Sequence, residues 1–195
     1  MRLKKQKRNI IPILEEKKSK PFIESIKYLD RENWQKLFSC IDNYRDKLII
    51  SMLYDTGMRV GELTKVEIKD IAFQESFIRI SAENTKTKFG RTIYVPQELL
   101  SNIRAFMKLN KIKNGRLFQL TTRRIQQLLK KYSKLAGVKA TPHTLRHTHI
   151  VHSLLNKIPI TAIQKQVGHR RLTTTQIYSD LAPEQVREAY EGRNK

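Results

Sequence analysis

Residues 67–96 read EIKDIAFQESFIRISAENTKTKFGRTIYVP, and they decide the fold class because their pattern differs from everything around them. Ile, Phe, Thr and Tyr stand in short runs broken by polar residues, which suits strands and turns. The reading predicts a first strand near 68–73, a second at 77–82 and a third at 91–95, with the polar segment 83–90 as the turn of a hairpin. Upstream the pattern is helical. Asp30 can cap a helix carrying Trp34, Leu37 and Phe38 on one face. A second helix is expected over 43–56, with Leu48, Ile49, Met52 and Leu53 inward and Gly57 as its stop. Residues 60–66 suggest a short third. Downstream of Pro96, helices are expected over 97–108, 122–135 and 142–156, the last with Thr141 as N-cap and Pro142 in the first position, where its missing N–H costs nothing. Shorter helices follow at 159–167, 172–178 and 183–190. The predicted class is a mainly α domain with one small antiparallel β-sheet, α+β in type.

With 195 residues, 39% of them hydrophobic, the chain can bury a real core, since a domain of roughly 150 residues hides about two thirds of its unfolded surface. Wholesale disorder is excluded. Charge is the unusual feature: 39 Lys and Arg against 18 Asp and Glu give a net +21. Residues 1–27 carry a net +6 and residues 28–98 balance, while residues 99–179 hold sixteen basic side chains and no carboxylate. A solvated face normally mixes signs, so that stretch of 81 residues points to a polyanionic partner. Nucleic acid is the natural candidate, through phosphate neutralisation and counterion release; a ribosomal role or an acidic membrane surface competes on charge alone. The arm 1–27, with Pro12, Pro21 and its charge runs, reads as a flexible basic tail or linker. There is no run of about 18 apolar residues and no secretory signal, so a soluble, intracellular protein is expected. Cys40, the single cysteine, cannot form an internal disulfide and is expected to pack as a small buried hydrophobe.

Five places could carry chemistry: Arg59 in TGMRVGEL, Lys86 in NTKTKFGRTIYVP, His143 and Arg146 in PHTLRH, His169 in VGH, and Tyr178 in TTTQIYSD. Each alone has a plain alternative. Arg59 could be a surface residue after a glycine turn, Lys86 a solvated turn lysine, His143 a helix-start histidine, His169 a loop residue, and Tyr178 a packing ring. His143 and His147, four apart on a helix, invite a metal reading, but no carboxylate or cysteine lies nearby in sequence to complete a site.

Together, the order Arg, Lys, His-x-x-Arg, Gly-His and then Tyr nine residues later resembles the catalytic domain of the tyrosine recombinases, the phage integrase and Xer-type family. The matching stretch runs over 28–181, which divides the chain into a basic arm 1–27, a catalytic domain 28–181 and a C-terminal segment 182–195. The resemblance implies a site-specific DNA recombinase that cleaves and rejoins strands without metal, ATP or other cofactor. The chemistry of the residues agrees. Metal-free cleavage of a phosphodiester requires donors on the nonbridging oxygens, an in-line nucleophile and an acid for the leaving oxygen. Arg59, Arg146 and His169 can supply the donors, and helical spacing puts His143 and Arg146 on one face. By the resemblance, Tyr178 attacks phosphorus to give a 3′-phosphotyrosyl bond and a free 5′-hydroxyl, and His143 assists by acid/base catalysis. The leaving-group acid aligns with Lys86, with Lys88 as the alternative. Glu62 takes an acidic position that could orient an arginine, or is a solvated helix carboxylate, and His147 reads as a supporting group.

Members of that family usually place a DNA-clamping helical domain before the catalytic one, and here 27 residues precede the match. The chain is therefore expected to be either a piece of a longer protein or a minimal recombinase like the fimbrial-switch invertases, with Met1 tilting toward a natural start. The implied partners are double-stranded DNA carrying a recombination site, further copies of the chain in a tetramer on two sites, and accessory DNA-bending proteins, with no membrane; the implied location is cytoplasmic and nucleoid-associated. Residues 182–195, with Val186, Ala189 and Tyr190 as a small apolar face, could pass to a neighbour or fold back in cis. A type IB topoisomerase would use similar residues to relax supercoils. A noncatalytic DNA-binding protein, with 160–177 as a helix-turn-helix, would leave Arg59, Lys86 and Tyr178 without a role.

Overall fold

The computed structural model describes residues 27–84 and 90–169. Helix α1 (Arg31–Ser39) starts on Asp30, whose carboxylate accepts from the Asn33 N–H at 2.7 Å. Asn43 caps α2 (Tyr44–Thr56) in the same way, and α2 stops at Gly57, whose φ of +63° is left-handed. A single turn, α3 (Val60–Leu63), follows. The expected helix over 60–66 is thus shorter, its last residues closing as tight turns through Lys65 N–H to Glu62 C=O and Val66 N–H to Leu63 C=O.

The sheet comes next, with β1 (Ile71–Ala72), β2 (Phe77–Ile80) and β3 (Arg91–Tyr94) in the order β1-β2-β3, all antiparallel. The first strand is two residues rather than six because Ile68–Asp70 forms a 3-10 turn, tied by Glu67 N–H to the Asp70 carboxylate at 3.0 Å and by Ile68 N–H to Gly115 C=O at 2.9 Å. Ile71, Ile78 and Ile93 lie in register and are buried, whereas Phe77 and Tyr94 pair on the outer face with their rings edge to face. A 3-10 turn, Ala82–Asn84, begins the connection from β2 to β3, of which 85–89 lies outside the described residues.

Four helices complete the described chain: α4 (Gln97–Leu109), α5 (Thr122–Leu135), α6 (Pro142–Leu155) and α7 (Ile160–Val167). Thr121 and Thr141 cap α5 and α6, and Pro142 occupies the first turn of α6. Helix α2 packs against α4 and α6, while α7 packs against β3 and α6. The main core joins Leu48, Ile49, Met52 and Leu53 of α2 to the inner sheet face and to Leu100, Ile103, Ile125, Leu129 and Leu145. A smaller cluster, Ile150, Val151, Leu154, Ile163 and Val167, fastens α7 to α6. Cys40 ends α1 partly exposed rather than buried. No helix among the described residues is long and apolar enough to cross a membrane. The arm, the helices expected over 172–178 and 183–190, and the boundary at 181 fall outside them.

Candidate active site

Arg59 follows directly from how α2 ends. Gly57 turns the chain in a left-handed step, Met58 is buried, and Arg59 emerges as the N-cap of α3. Glu62 then reaches back one turn: its carboxylate accepts from the Arg59 N–H at 2.8 Å and from Arg59 Nη1 at 3.1 Å. The same carboxylate accepts two parallel bonds from Arg91, Nη1 to Oε1 at 2.8 Å and Nη2 to Oε2 at 2.7 Å. Such a fork is among the stronger polar contacts a protein makes. Glu62 is 3% exposed. Burial pushes its acidity down, but the hydrogen bonds and charge of Arg91, helped by Arg59, outweigh that and hold it ionised below the usual glutamate range.

Arg146, on α6 and 5% exposed, donates from Nη1 to Gly57 C=O and from Nη2 to Val167 C=O, both at 2.6 Å. It thereby joins the end of α2 to the end of α7. Gly168, with φ +71°, terminates α7, and His169 follows it. On either side of Arg146 along α6, the Nε2 atoms of His143 and His147 lie 2.6 Å apart, so one ring must donate and the other accept. Burial, with Arg146 and Arg59 nearby, lowers the pKa of His143. Burial, His143 and Arg146 bring His147 down to about 4, and burial with the positive charges of Arg146, Arg59 and Arg91 does the same to His169. All three imidazoles are therefore neutral at pH 7, so His169 offers a neutral N–H rather than a cation.

Arg59, Glu62, His143, Arg146 and His169 line one cleft of about 700 Å³, together with Lys65, Glu83, Thr122 and Gln126. His147 supports it from behind through His143. His149 and His152 point elsewhere, into a separate groove of about 420 Å³ with Tyr54, whose hydroxyl meets His152 Nδ1 at 2.8 Å. Lys86, Lys88 and Tyr178 lie outside the described residues, though Glu83, three residues before Lys86, stands at the cleft. Two residues central to this arrangement have no signature in the sequence. Arg91 reads as the first residue of a strand and Gln166 as an ordinary helix position, yet Gln166 grips β3 through Tyr94 N–H and C=O, both at 2.9 Å.

The arrangement brings two guanidinium groups and two neutral imidazoles to one concave surface, which suits an anion with several oxygens better than a metal ion. Comparison with known proteins gives the same direction. Residues 27–185 match the model of the phage integrase family. The tyrosine recombinase XerA of Pyrococcus furiosus is 37% identical over 179 residues, covering 86% of this chain and 62% of that protein. The crystal structure of XerA recombinase superposes with a TM-score of 0.72 at 31% identity, over 86% of this chain and 65% of that one. XerH, solved in a pre-cleavage complex on its difH substrate, shares the fold with a TM-score of 0.65 at 23% identity, over 78% of this chain and 50% of that one. The chain spans less than two thirds of the length of these relatives. With the family model extending through the Arg59 turn, the α6 histidines and arginine, and His169 alike, the chain belongs to the phage integrase family and carries its tyrosine recombinase catalytic domain.

Proposed function

We propose that the chain is the catalytic part of a site-specific DNA recombinase working through a 3′-phosphotyrosyl intermediate. The observation that carries this reading is the convergence of Arg59, His143, Arg146 and His169 on one cleft from three separate parts of the chain. The scissile phosphate would sit there, with Arg59 and Arg146 neutralising its nonbridging oxygens and the His169 N–H adding a donor. The Tyr178 oxygen bonds to phosphorus as the bond to the 5′ oxygen breaks. A tyrosine hydroxyl ordinarily holds its proton to a pKa of about 10. A neutral His143, hydrogen-bonded to His147, is assigned to receive it. Lys86 in the hairpin turn, or Lys88, gives a proton to the departing 5′ oxygen. The covalent linkage conserves the energy of the phosphodiester, so the reverse step rejoins the strand to a new 5′-hydroxyl without ATP.

The organisation proposed with this chemistry is a catalytic unit over 28–181, the basic arm 1–27 following the DNA backbone, and residues 182–195 meeting a neighbouring copy. Four copies on two duplexes, with DNA-bending proteins where the sites require them, would complete the exchange.

The test is denaturing electrophoresis of the protein with nicked duplexes that trap cleavage. Wild type is expected to form a covalent adduct and Tyr178→Phe none, while both bind DNA with affinities within about twofold, since the ring is kept. An adduct that persists in Tyr178→Phe refutes the assignment of the nucleophile.

A further inference from the structure

The geometry points to Arg91 as a positioning residue for strand transfer, one that saturates Glu62 so that Arg59 stays turned toward the phosphate. Arg91 does not line the cleft, and its side chain is 12% exposed. All three of its side-chain nitrogens are committed to the protein: Nη1 and Nη2 to Glu62, and Nε to Gln166 C=O at 3.2 Å. It therefore acts on the reaction through other residues and is no phosphate contact.

What it does follows from the charges. Glu62 is a buried carboxylate between two arginines that play unequal parts. Arg91 binds it as a parallel fork at 2.7 and 2.8 Å, whereas the Arg59 side chain touches it through one nitrogen at 3.1 Å. The Arg59 side chain is 32% exposed, and among the described residues neither its Nε nor its Nη2 forms a hydrogen bond. Without Arg91, the buried carboxylate would need a new fork partner, because an unpaired buried charge is costly. Arg59 is the guanidinium already in contact, and closing that fork would turn its donors away from the cleft. The same side chain also fixes the far wall. A Cβ on Gly168 would lie 2.8 Å from Arg91 Cδ and Nε, so the turn that presents His169 rests directly on it. One residue at the start of β3 thus sets Arg59 and His169 together, in the strand that follows the hairpin turn.

This inference rests on the proposed strand-transfer chemistry, and its test separates the two. Single-turnover adduct formation would be measured at saturating nicked duplex, with DNA affinity and thermal unfolding recorded on the same preparations. Arg91→Gln is expected to slow the adduct step about tenfold or more with affinity changed less than about twofold, the signature of misplaced donors rather than lost binding. In an Arg59→Ala background, Arg91→Gln should cost several-fold less than in the wild-type background, because one of the two groups it positions is gone. Arg91→Lys, which keeps the charge but cannot form the fork, should fall between, and it serves as the primary variant if Arg91→Gln does not fold. Equal fold-losses in both backgrounds overturn the positioning role and leave the chemistry standing. No adduct from wild type on any duplex overturns both.

Discussion

Gly57 shows how much a single position carries. It ends α2 with φ +63°, offers its carbonyl to Arg146, and lies so close to α6 and α7 that a Cβ would come within 2.5 Å of His149 Cδ2 and 3.0 Å of Val167 Cγ1. Gly57→Ala would add left-handed strain to an overlap with the half-buried His149 ring, and a loss of about 2–4 kcal/mol is expected. Urea denaturation checks this; a midpoint equal to wild type would show that α6 yields freely. The helix stop at Gly57 was legible in the sequence because glycine after an apolar-periodic segment is a local signal. Its contact with His149 was not, since nothing local links residues so far apart. The same divide separates Arg59, His143, Arg146 and His169, singled out by their order along the chain, from Arg91, whose partners Glu62 and Gln166 lie on other elements.

The end of α7 is an assembled joint. Gln166 holds β3, Arg91 and Arg146 take the carbonyls of residues 166 and 167, and Gly168 fits against the Arg91 guanidinium before His169 enters the cleft. In Gly168→Ala the added methyl would push on the far end of a flexible side chain, which can move, but only by loosening its grip on Glu62. Adduct formation should therefore slow about tenfold while the urea midpoint falls less than in Gly57→Ala; an unchanged rate would mean the joint tolerates displacement. Helices with a strong apolar stripe, such as α5, were legible to their ends, and the caps Asp30 and Thr141 mark starts that the sequence announces, whereas the caps Asn43 and Thr121 emerge only in the structure. Strand β1 and helix α3 were overestimated because tertiary ties, Ile68 to Gly115 above all, decide where such short elements stop.

For the molecule as a whole, partly buried histidines set the response to pH. Burial and neighbouring positive charges bring His147, His149 and His169 to about 4, whereas the unfolded chain binds the same protons near pH 6.5. Their contribution to stability is complete above about 6.5 and drains away as pH falls toward 4. Asp55 opposes them: burial, with Glu98 adding to it, raises its carboxyl to about 7, so its contribution is present at low pH and lost as pH rises toward 7. Three histidines outweigh one aspartate, and the urea midpoint at pH 5 should lie below that at pH 7; a higher midpoint at pH 5 would contradict the neutral state of these rings. At this scale the sequence was informative about charge, whose segregation needs no structure to be seen, but silent on protonation, which depends on burial. The two arginines at the end of α7 have one more effect. A helix finishes with its carbonyls pointing outward and a partial negative charge of about half an electron, the wrong sign beside the cleft proposed to take a DNA phosphate. By covering the carbonyls of residues 166 and 167 with guanidinium groups, the protein offsets that dipole where the helix delivers His169, and the cleft is left without a negative pole of the helix's making.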